Sequence, residues 1–308
     1  MTTELEGAKI LITGLTGSVG FPIAKRLAAA GSQVYGGARF SSARRRARIE
    51  EAGVNCVQLD LIEADFSDVP DDVDYVINFA VLHAPDFDTA LAANAEGIGL
   101  LMAHCRKARA ILHCSSTGVY QPDGHHAFAE TDPLGDNHRP AGLTTYSISK
   151  IAAEAVARQS ARLWNLPTVI PRLNVPYGDT WGWPKMQLDM MISGAEVAVH
   201  SDPPSLYNPI HEDDIFGLIP ALLAAATVPA TIVNWAGPDT VSVQEWCGYL
   251  GELVGVEPRF APTDAAIPSV AVDITKMREL IGEPAVGWRD GFRRMAEASF
   301  PELVKPKG

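Results

Sequence analysis

Ala8-Lys9-Ile10-Leu11-Ile12-Thr13-Gly14-Leu15-Thr16-Gly17-Ser18-Val19-Gly20 begins as a short apolar run and ends on three glycines spaced by three. The run predicts a buried strand bounded by glycine. Phe21 to Ala30 then predicts a helix that Gly31 ends. Strand, glycine turn and helix in that order form the context in which a glycine motif carries information. The glycines permit a tight turn and bring backbone N–H groups and the helix dipole up to an anion such as a phosphate. Gly14, Thr16, Gly17, Ser18, Val19 and Gly20 are therefore candidate cofactor-binding residues.

The next predicted strand is Gln33 to Ala38. A site for NAD places an acid at the end of this strand, about 20 residues after the glycine turn, to hold the ribose hydroxyls. Here that place holds Ala38, followed by Arg39, Phe40, Ser41 and Ser42. An arginine and hydroxyls suit a 2′-phosphate, so Arg39 and Ser41 point to NADP, with NAD as the alternative. The run Arg44-Arg45-Arg46 reads as a solvated helix face.

Further strands are expected at Asn55–Leu61, Asp74–Ala80, Ala110–Ser115 and Leu166–Leu173. Ligands of such sheets lie at the C-terminal strand ends. Asp60 and Leu61, then Phe79, Ala80 and Val81, and then Ser115 are therefore candidates for the cofactor, and Pro171, Leu173 and Asn174 join them through the family resemblance given below. His83 follows the fourth strand in a loop and is a candidate for the substrate pocket, as are Thr117 and Asn174. Phe87 to Ala108 reads as one long helix, and Pro122 to Gly142 as a loop. Ser242 with Glu245 has the spacing of a capping box.

Tyr146-Ser147-Ile148-Ser149-Lys150 places a phenol and an amine on one helix face, four residues apart. An ammonium beside a tyrosine favours the phenolate and would lower its pKa toward neutrality. Tyr146 and Lys150 are thus candidate acid/base groups, with Ser116 at a strand end as the hydroxyl that holds the reacting oxygen.

The 308-residue chain has a formal net charge of -12, which argues against nucleic acid and against anionic membranes as partners. No apolar run reaches spanning length, and the N-terminus lacks the basic and apolar regions of a signal peptide. Four scattered cysteines without a Cys-x-x-Cys pair read as buried thiols of a cytoplasmic protein, and no metal site is expected.

In order and spacing these stretches resemble the extended short-chain dehydrogenases/reductases, the group that includes nucleotide-sugar epimerases and dehydratases. Thr13 to Gly20 resembles its Thr-Gly-x-x-Gly-x-x-Gly turn, and Asp60-Leu61 its adenine-contacting pair. Ser115 to Tyr120 is similar to its Ser-Ser-x-x-Val-Tyr segment, whose second serine is catalytic, and Tyr146 to Lys150 to its active-site pair. Pro171 to Gly178 is close to Pro-Arg-x-x-Asn-Val-Tyr-Gly, with Pro176 as an extra or exchanged residue. His211 to Asp214 resembles His-Val-Asp-Asp, and Asp273 to Gly282 the closing Asp-x-x-Lys segment.

The resemblance implies an α/β fold: a Rossmann doubly wound parallel sheet with a smaller C-terminal substrate-binding lobe. Residues 1–178, with contributions from about 205–240, would form the dinucleotide domain, and 179–308 mainly the lobe. It also implies a Ser116-Tyr146-Lys150 triad and a homodimer formed through the helices near 90–108 and 145–163. Family members that act on nucleotide sugars commonly carry an arginine four residues before the late histidine, where it grips a pyrophosphate. Here that position is Tyr207. Trp181, Trp183 and Tyr207, with Met186 and Phe128, are candidates for an apolar substrate pocket. The expectation is an NADP(H)-dependent carbonyl reductase or alcohol dehydrogenase acting on a small molecule. The alternatives are a nucleotide-sugar epimerase or dehydratase with tightly held NAD, and a non-catalytic dinucleotide-binding protein.

Overall fold

The computed structural model describes residues 5–305. They divide into two compact units. The first runs to Ser116 and adds Thr145–Arg172 and Phe216–Val233. The second takes Thr117–Thr144, Leu173–Ile215 and the chain from Asn234 onward. The division therefore does not fall at residue 178. The chain leaves the first unit as soon as Ser116 ends its strand and returns only with the helix that carries Tyr146.

In the first unit β1 is Lys9–Thr13, α1 Gly20–Ala29, β2 Gln33–Ala38, α2 Ala43–Glu51, β3 Asn55–Gln58 and β4 Tyr75–Asn78. There follow α3 Phe87–Leu91, α4 Gly97–His104, β5 Ala110–His113, β6 Ser115–Ser116, α5 Tyr146–Trp164, β7 Thr168–Leu173 and β8 Thr231–Trp235. The sheet order is β8-β7-β5-β4-β1-β2-β3, with β6 beside β7, and β1 pairs in parallel with both β2 and β4. The order reverses between β1 and β4, which makes this the topological switch point of a doubly wound Rossmann sheet. Both faces are covered, so β1 and β7 are buried along nearly their whole length rather than at alternate residues.

The core of this unit packs Leu11, Val76, Ile111 and Ile170 of the sheet against Ile98, Leu101 and Met102 of α4. Ala153, Ala157 and Ala161, at helical spacing on α5, are fully buried in it. Gly99 lets α4 and α5 approach closely, since a Cβ there would meet Val156 Cγ1 at 2.8 Å. Gly36 similarly lets Leu15 lie over β2, where a Cβ would come within 2.0 Å of Leu15 Cδ1.

The stretch expected as one helix over Phe87–Ala108 is instead broken by a π-turn at Ala92–Glu96. Such bulges re-aim side chains and cluster at functional sites. The one at hand turns Asn94 toward the loop after β4, where its amide donates to Leu82 O and its carbonyl accepts from Leu82 N. Asp60 lies just past β3 rather than in it, because its side chain accepts from Ile62 N and folds the chain into a turn.

The second unit holds the helices Trp183–Ile192, Val243–Val254 and Trp288–Ser299 and small two- and three-stranded sheets. The capping box is formed, with Ser242 and Glu245 satisfying each other's backbone N–H. Among the described residues no helix is long and apolar enough to cross a membrane.

His113, at the end of β5, is 1% exposed, and its Nδ1 lies 2.8 Å from the Asn78 amide nitrogen. Burial, then the Lys150 charge, hold its pKa well below the ordinary 6.5. A depressed pKa contributes stability that is present above the unfolded value and lost as pH falls below it. Acidification below about pH 6.5 should therefore destabilise the protein with a His113 contribution approaching about 1.4 kcal/mol per pH unit. Urea unfolding at pH 7 and pH 5 checks this. His113→Phe should show the shallower loss, and equal losses would refute it.

Candidate active site

The glycine turn works at close range. Gly14 has φ +74°, and a Cβ there would lie 2.6 Å from the Phe79 carbonyl carbon, so the turn sits directly against the end of β4. Gly17 N donates to Gly14 O at 3.0 Å, and α1 starts with no side-chain cap at Val19. Its leading N–H groups are left for an anion. Beneath the turn, Thr13 donates to Asn78 and Asn78 meets His113, which ties the ends of β1, β4 and β5 together.

Above these strand ends lies a cavity of about 330 Å³. Of the residues marked as cofactor candidates, Gly14, Thr16, Gly17, Arg39, Ser41, Asp60, Leu61, Phe79, Ala80 and Val81 line it. Ser18, Val19, Gly20, Ser115, Pro171, Leu173 and Asn174 do not. Gly20 is instead wedged against Gly14 O, where a Cβ would come within 2.6 Å. Phe40, Ser42, Arg45, Leu82 and Asn94 line the cavity although the sequence did not mark them for it. Arg45 was concealed in what reads as a solvated arginine run, and Asn94 in what reads as regular helix.

Asn94 joins this cavity to α5, because its amide also donates to Ser149 Oγ at 3.2 Å. Thr145, just before α5, donates to Ala84 O at 2.7 Å. The start of α5 is thereby pinned to the loop after β4, and it presents Tyr146. The Tyr146 hydroxyl is hydrogen-bonded to Ser116, and the His83 ring stacks on the tyrosine with centroids 5.2 Å apart. Ser116, Tyr146, Lys150 and His83 thus form one cluster in the first unit.

The electrostatics differ from the expectation. Burial pushes the Tyr146 pKa up to about 12, and the Ser116 hydrogen bond opposes this only in part. Lys150 does not reach the phenol; its ammonium donates to Cys114 O at 2.6 Å. Burial in turn lowers the pKa of Lys150. In this geometry Tyr146 holds its proton at neutral pH. His83 is pushed below its ordinary value by the burial of part of its ring and then by the Lys150 charge.

One turn beyond Lys150, Glu154 is 2% exposed. Its Oε1 accepts from Ser115 Oγ at 2.6 Å and from Arg172 Nε at 3.0 Å, and its Oε2 from Arg172 Nη2 at 2.8 Å. This three-donor arrangement binds α5, β6 and β7 together next to Ser116. Sequence reading passed over it, although Glu154 repeats the four-residue spacing after Lys150 and Arg172 is part of the Pro-Arg stretch.

The residues expected to line a substrate pocket in the second unit are mostly engaged in its own framework. Tyr207 is 3% exposed and its hydroxyl donates to Ile267 O and Pro268 O. Trp183 sits edge-on to Tyr207 and to Trp246, and Trp181 donates to Glu212 at 2.7 Å. Asn174 donates to Thr117 Oγ1 and Val270 O and accepts from Asn208 N, so both side chains are used internally. Phe128 is buried and stacked on Tyr120, whereas Met186 is exposed. His211, in the late motif, bridges Asp179 while Arg294 pairs with Asp179 and Asp213.

A sequence model described as the NAD dependent epimerase/dehydratase family matches residues 10–208. The chain belongs to this family. Among curated proteins it is 25% identical to the "Uncharacterized 37.6 kDa protein in cld 5'region" of Escherichia coli O111:H-, over 92% of this chain and 96% of the relative. It is 24% identical to Protein CapI of Staphylococcus aureus, over 75% and 73% of the two chains. Among solved structures, UDP-glucuronic acid 4-epimerase from Bacillus cereus, in complex with UDP-glucuronic acid and NAD, superimposes with a TM-score of 0.80. Its identity is 19%, covering 94% of this chain and 98% of that one. DesIV, a dTDP-glucose 4,6-dehydratase from Streptomyces venezuelae, gives 0.79 at 20% identity, covering 94% and 96%.

The residues present fit a dinucleotide: a turn that only glycine allows, an uncapped α1 N-terminus and a cavity over the switch point. The Glu154 junction generates a stability prediction. Glu154→Ala leaves Arg172 charged and buried without its partner, and should cost about 3–5 kcal/mol. Replacing both, as Glu154→Leu with Arg172→Met, should recover most of the loss. Denaturant melts of the two variants test this, and a single variant as stable as the wild type would contradict it.

Proposed function

We propose that this protein transfers a hydride between a nicotinamide dinucleotide and a secondary alcohol or ketone carbon of a nucleotide-linked sugar, in the manner of an epimerase or dehydratase. The observation that carries the reading is the Tyr146 phenol hydrogen-bonded to Ser116, with Lys150 buried one turn on. Family membership supports it, as do structural neighbours named for UDP- and dTDP-sugars and solved with NAD.

When bound, the nicotinamide supplies or accepts the hydride. This chain's residues manage the oxygen and its proton. Ser116 is partly accessible and donates a hydrogen bond that orients the substrate oxygen. Tyr146 then delivers a proton to that oxygen, or takes it in the reverse direction. Lys150, fixed on Cys114 O, provides a nearby positive charge. His83, stacked on the Tyr146 ring, would line the substrate side. Arg39, at the place of the ribose-binding acid, favours NADP(H) over NAD.

A second reading, net reduction of a carbonyl compound by NADPH, is favoured by one observation. Tyr207 stands where a diphosphate-gripping arginine is common, and its hydroxyl is committed to backbone carbonyls. It offers no cation to a nucleotide sugar. The two readings differ in cofactor turnover. Incubation with UDP- and dTDP-hexoses should give an altered sugar by NMR without net change of the cofactor. Stoichiometric NADPH oxidation by a ketone panel, with no sugar conversion, would instead establish the second.

In either case Tyr146→Phe should lower turnover by about 10²–10⁴-fold while dinucleotide affinity is retained. With the phenol pKa raised to about 12, reduction should hold its rate across neutral pH, whereas alcohol oxidation should rise as pH increases. A Tyr146→Phe enzyme with most of its kcat would remove the acid/base assignment. A homodimer through α4 and α5 is consistent with the exposure of Leu100, Ile148 and Leu163 on those helices. Sedimentation equilibrium should report two copies, and a monomer at micromolar concentration would exclude it.

A further inference from the structure

We propose that His83 is a positioning residue that acts through Tyr146: a proton taken up on its imidazole, stacked on the phenol ring, makes that phenol a stronger proton donor. This rests on the acid/base reading above and adds a control of the acid's strength.

His83 is held over Tyr146 from both sides. Before it, Leu82 N donates to Asn94 Oδ1 at 2.7 Å, and Leu82 O accepts from the Asn94 amide at 2.9 Å. After it, Ala84 O accepts from Thr145 Oγ1 at 2.7 Å. Thr145 immediately precedes Tyr146, so the loop and the start of α5 are clamped to each other. The clamp sets the two rings nearly parallel, 16° apart in plane, with centroids separated by 5.2 Å. The His83 ring makes no hydrogen bond or ion pair among the described residues, and the residue is exposed. Its nitrogens are therefore open to proton exchange with water.

The charges around the stack leave this task to His83. Lys150 is anchored on Cys114 O and does not reach the phenol. Partial burial of the ring, then the Lys150 charge, push His83 below its ordinary 6.5, so the stacked ring is neutral at pH 7. Cys114, at the end of β5, stays a thiol, because burial pushes it up to about 11. His113 is fully enclosed and held well below 6.5, Glu154 is paired with Arg172, and Asp86 accepts from Thr89 N at the start of α3. Mild acid therefore adds one positive charge against the phenol face, on His83. A cation over an aromatic face and close to its oxygen favours the phenolate, so the proton leaves Tyr146 more readily during reduction.

The first test needs no substrate. His83→Arg places a permanent cation at the position, and His83→Phe an uncharged ring. Ultraviolet titration at alkaline pH, with the Tyr146→Phe counterpart of each variant subtracted, reads the Tyr146 phenol alone. The phenol in His83→Arg should ionise at least about one pH unit below that in His83→Phe. The residue is exposed, so the fold should tolerate both changes. The second test is the profile of kcat from about pH 8 to about pH 5.5, with NADPH and the ketone panel. The wild-type rate should rise about threefold to tenfold as pH falls through the His83 midpoint, itself read by NMR of the ring protons. His83→Phe should lack the rise. Equal phenol midpoints in the two variants, a flat wild-type profile, or a rise that survives in His83→Phe would overturn the proposal. Absence of turnover with every ketone and hexose would instead overturn the functional reading, and the phenol titration would still decide the role of His83.

Discussion

The arrangement of the candidate active site depends on one buried carboxylate. Glu154 has been moved out of water, where an isolated charge is strongly unfavourable, and Arg172 with Ser115 compensates it through three hydrogen bonds. The compensation requires particular positions. Arg172 must come from β7, Ser115 from β6 and Glu154 from α5 one turn beyond Lys150. A rotation or slide of α5 would break charged bonds in the interior. The register that satisfies Glu154 is also the one that puts Lys150 on Cys114 O and Tyr146 on Ser116. The geometry of the candidate site and the avoidance of an unpaired buried charge are thus enforced by the same contacts.

Where α5 is fixed by what it carries, the cavity is fixed by what is missing. Gly14, Gly36 and Gly99 each mark a place where a single Cβ would strike a neighbour. Their absence of side chains lets the glycine turn reach β4, Leu15 cover β2 and α4 approach α5. The π-turn at Ala92–Glu96 then aims Asn94 at both the post-β4 loop and Ser149, joining cavity to helix. Small residues set the spacing, and the few buried polar groups set the direction.

Much of this was legible in the sequence, for a physical reason. Features set by local backbone demands leave local signatures: the glycine spacing after β1, the Ser242–Glu245 cap, and Tyr146 and Lys150 on one helix face. The doubly wound parallel sheet was implied by the family resemblance, whereas the strand order came only with the structure. What could not be read depends on packing. The period of an α-helix cannot announce a π-turn, so Asn94 passed unnoticed. The identity of Tyr207 showed the loss of an arginine, but only its bonds to Ile267 O and Pro268 O show that its hydroxyl is committed within its own unit. The arginine run read as a single solvated face, although Arg46 turns to Glu50 and Arg45 lines the cavity.

The acid/base pair shows most clearly why spacing alone was insufficient. Four residues of separation on a helix brought an amine and a phenol to one face, and the direction of the expected pKa shift followed from charge. Burial acts on both groups and opposes both charged forms. It raises Tyr146 and lowers Lys150, and the ammonium, drawn to Cys114 O, does not reach the phenol. The same desolvation that makes Glu154 costly without its partners therefore holds the proton on Tyr146. A buried tyrosine that keeps its proton, hydrogen-bonded to a partly accessible serine, is suited to donating to a developing alkoxide. Placing it in the interior of the first unit, rather than beside an exposed charge, is what keeps the proton on the phenol at neutral pH.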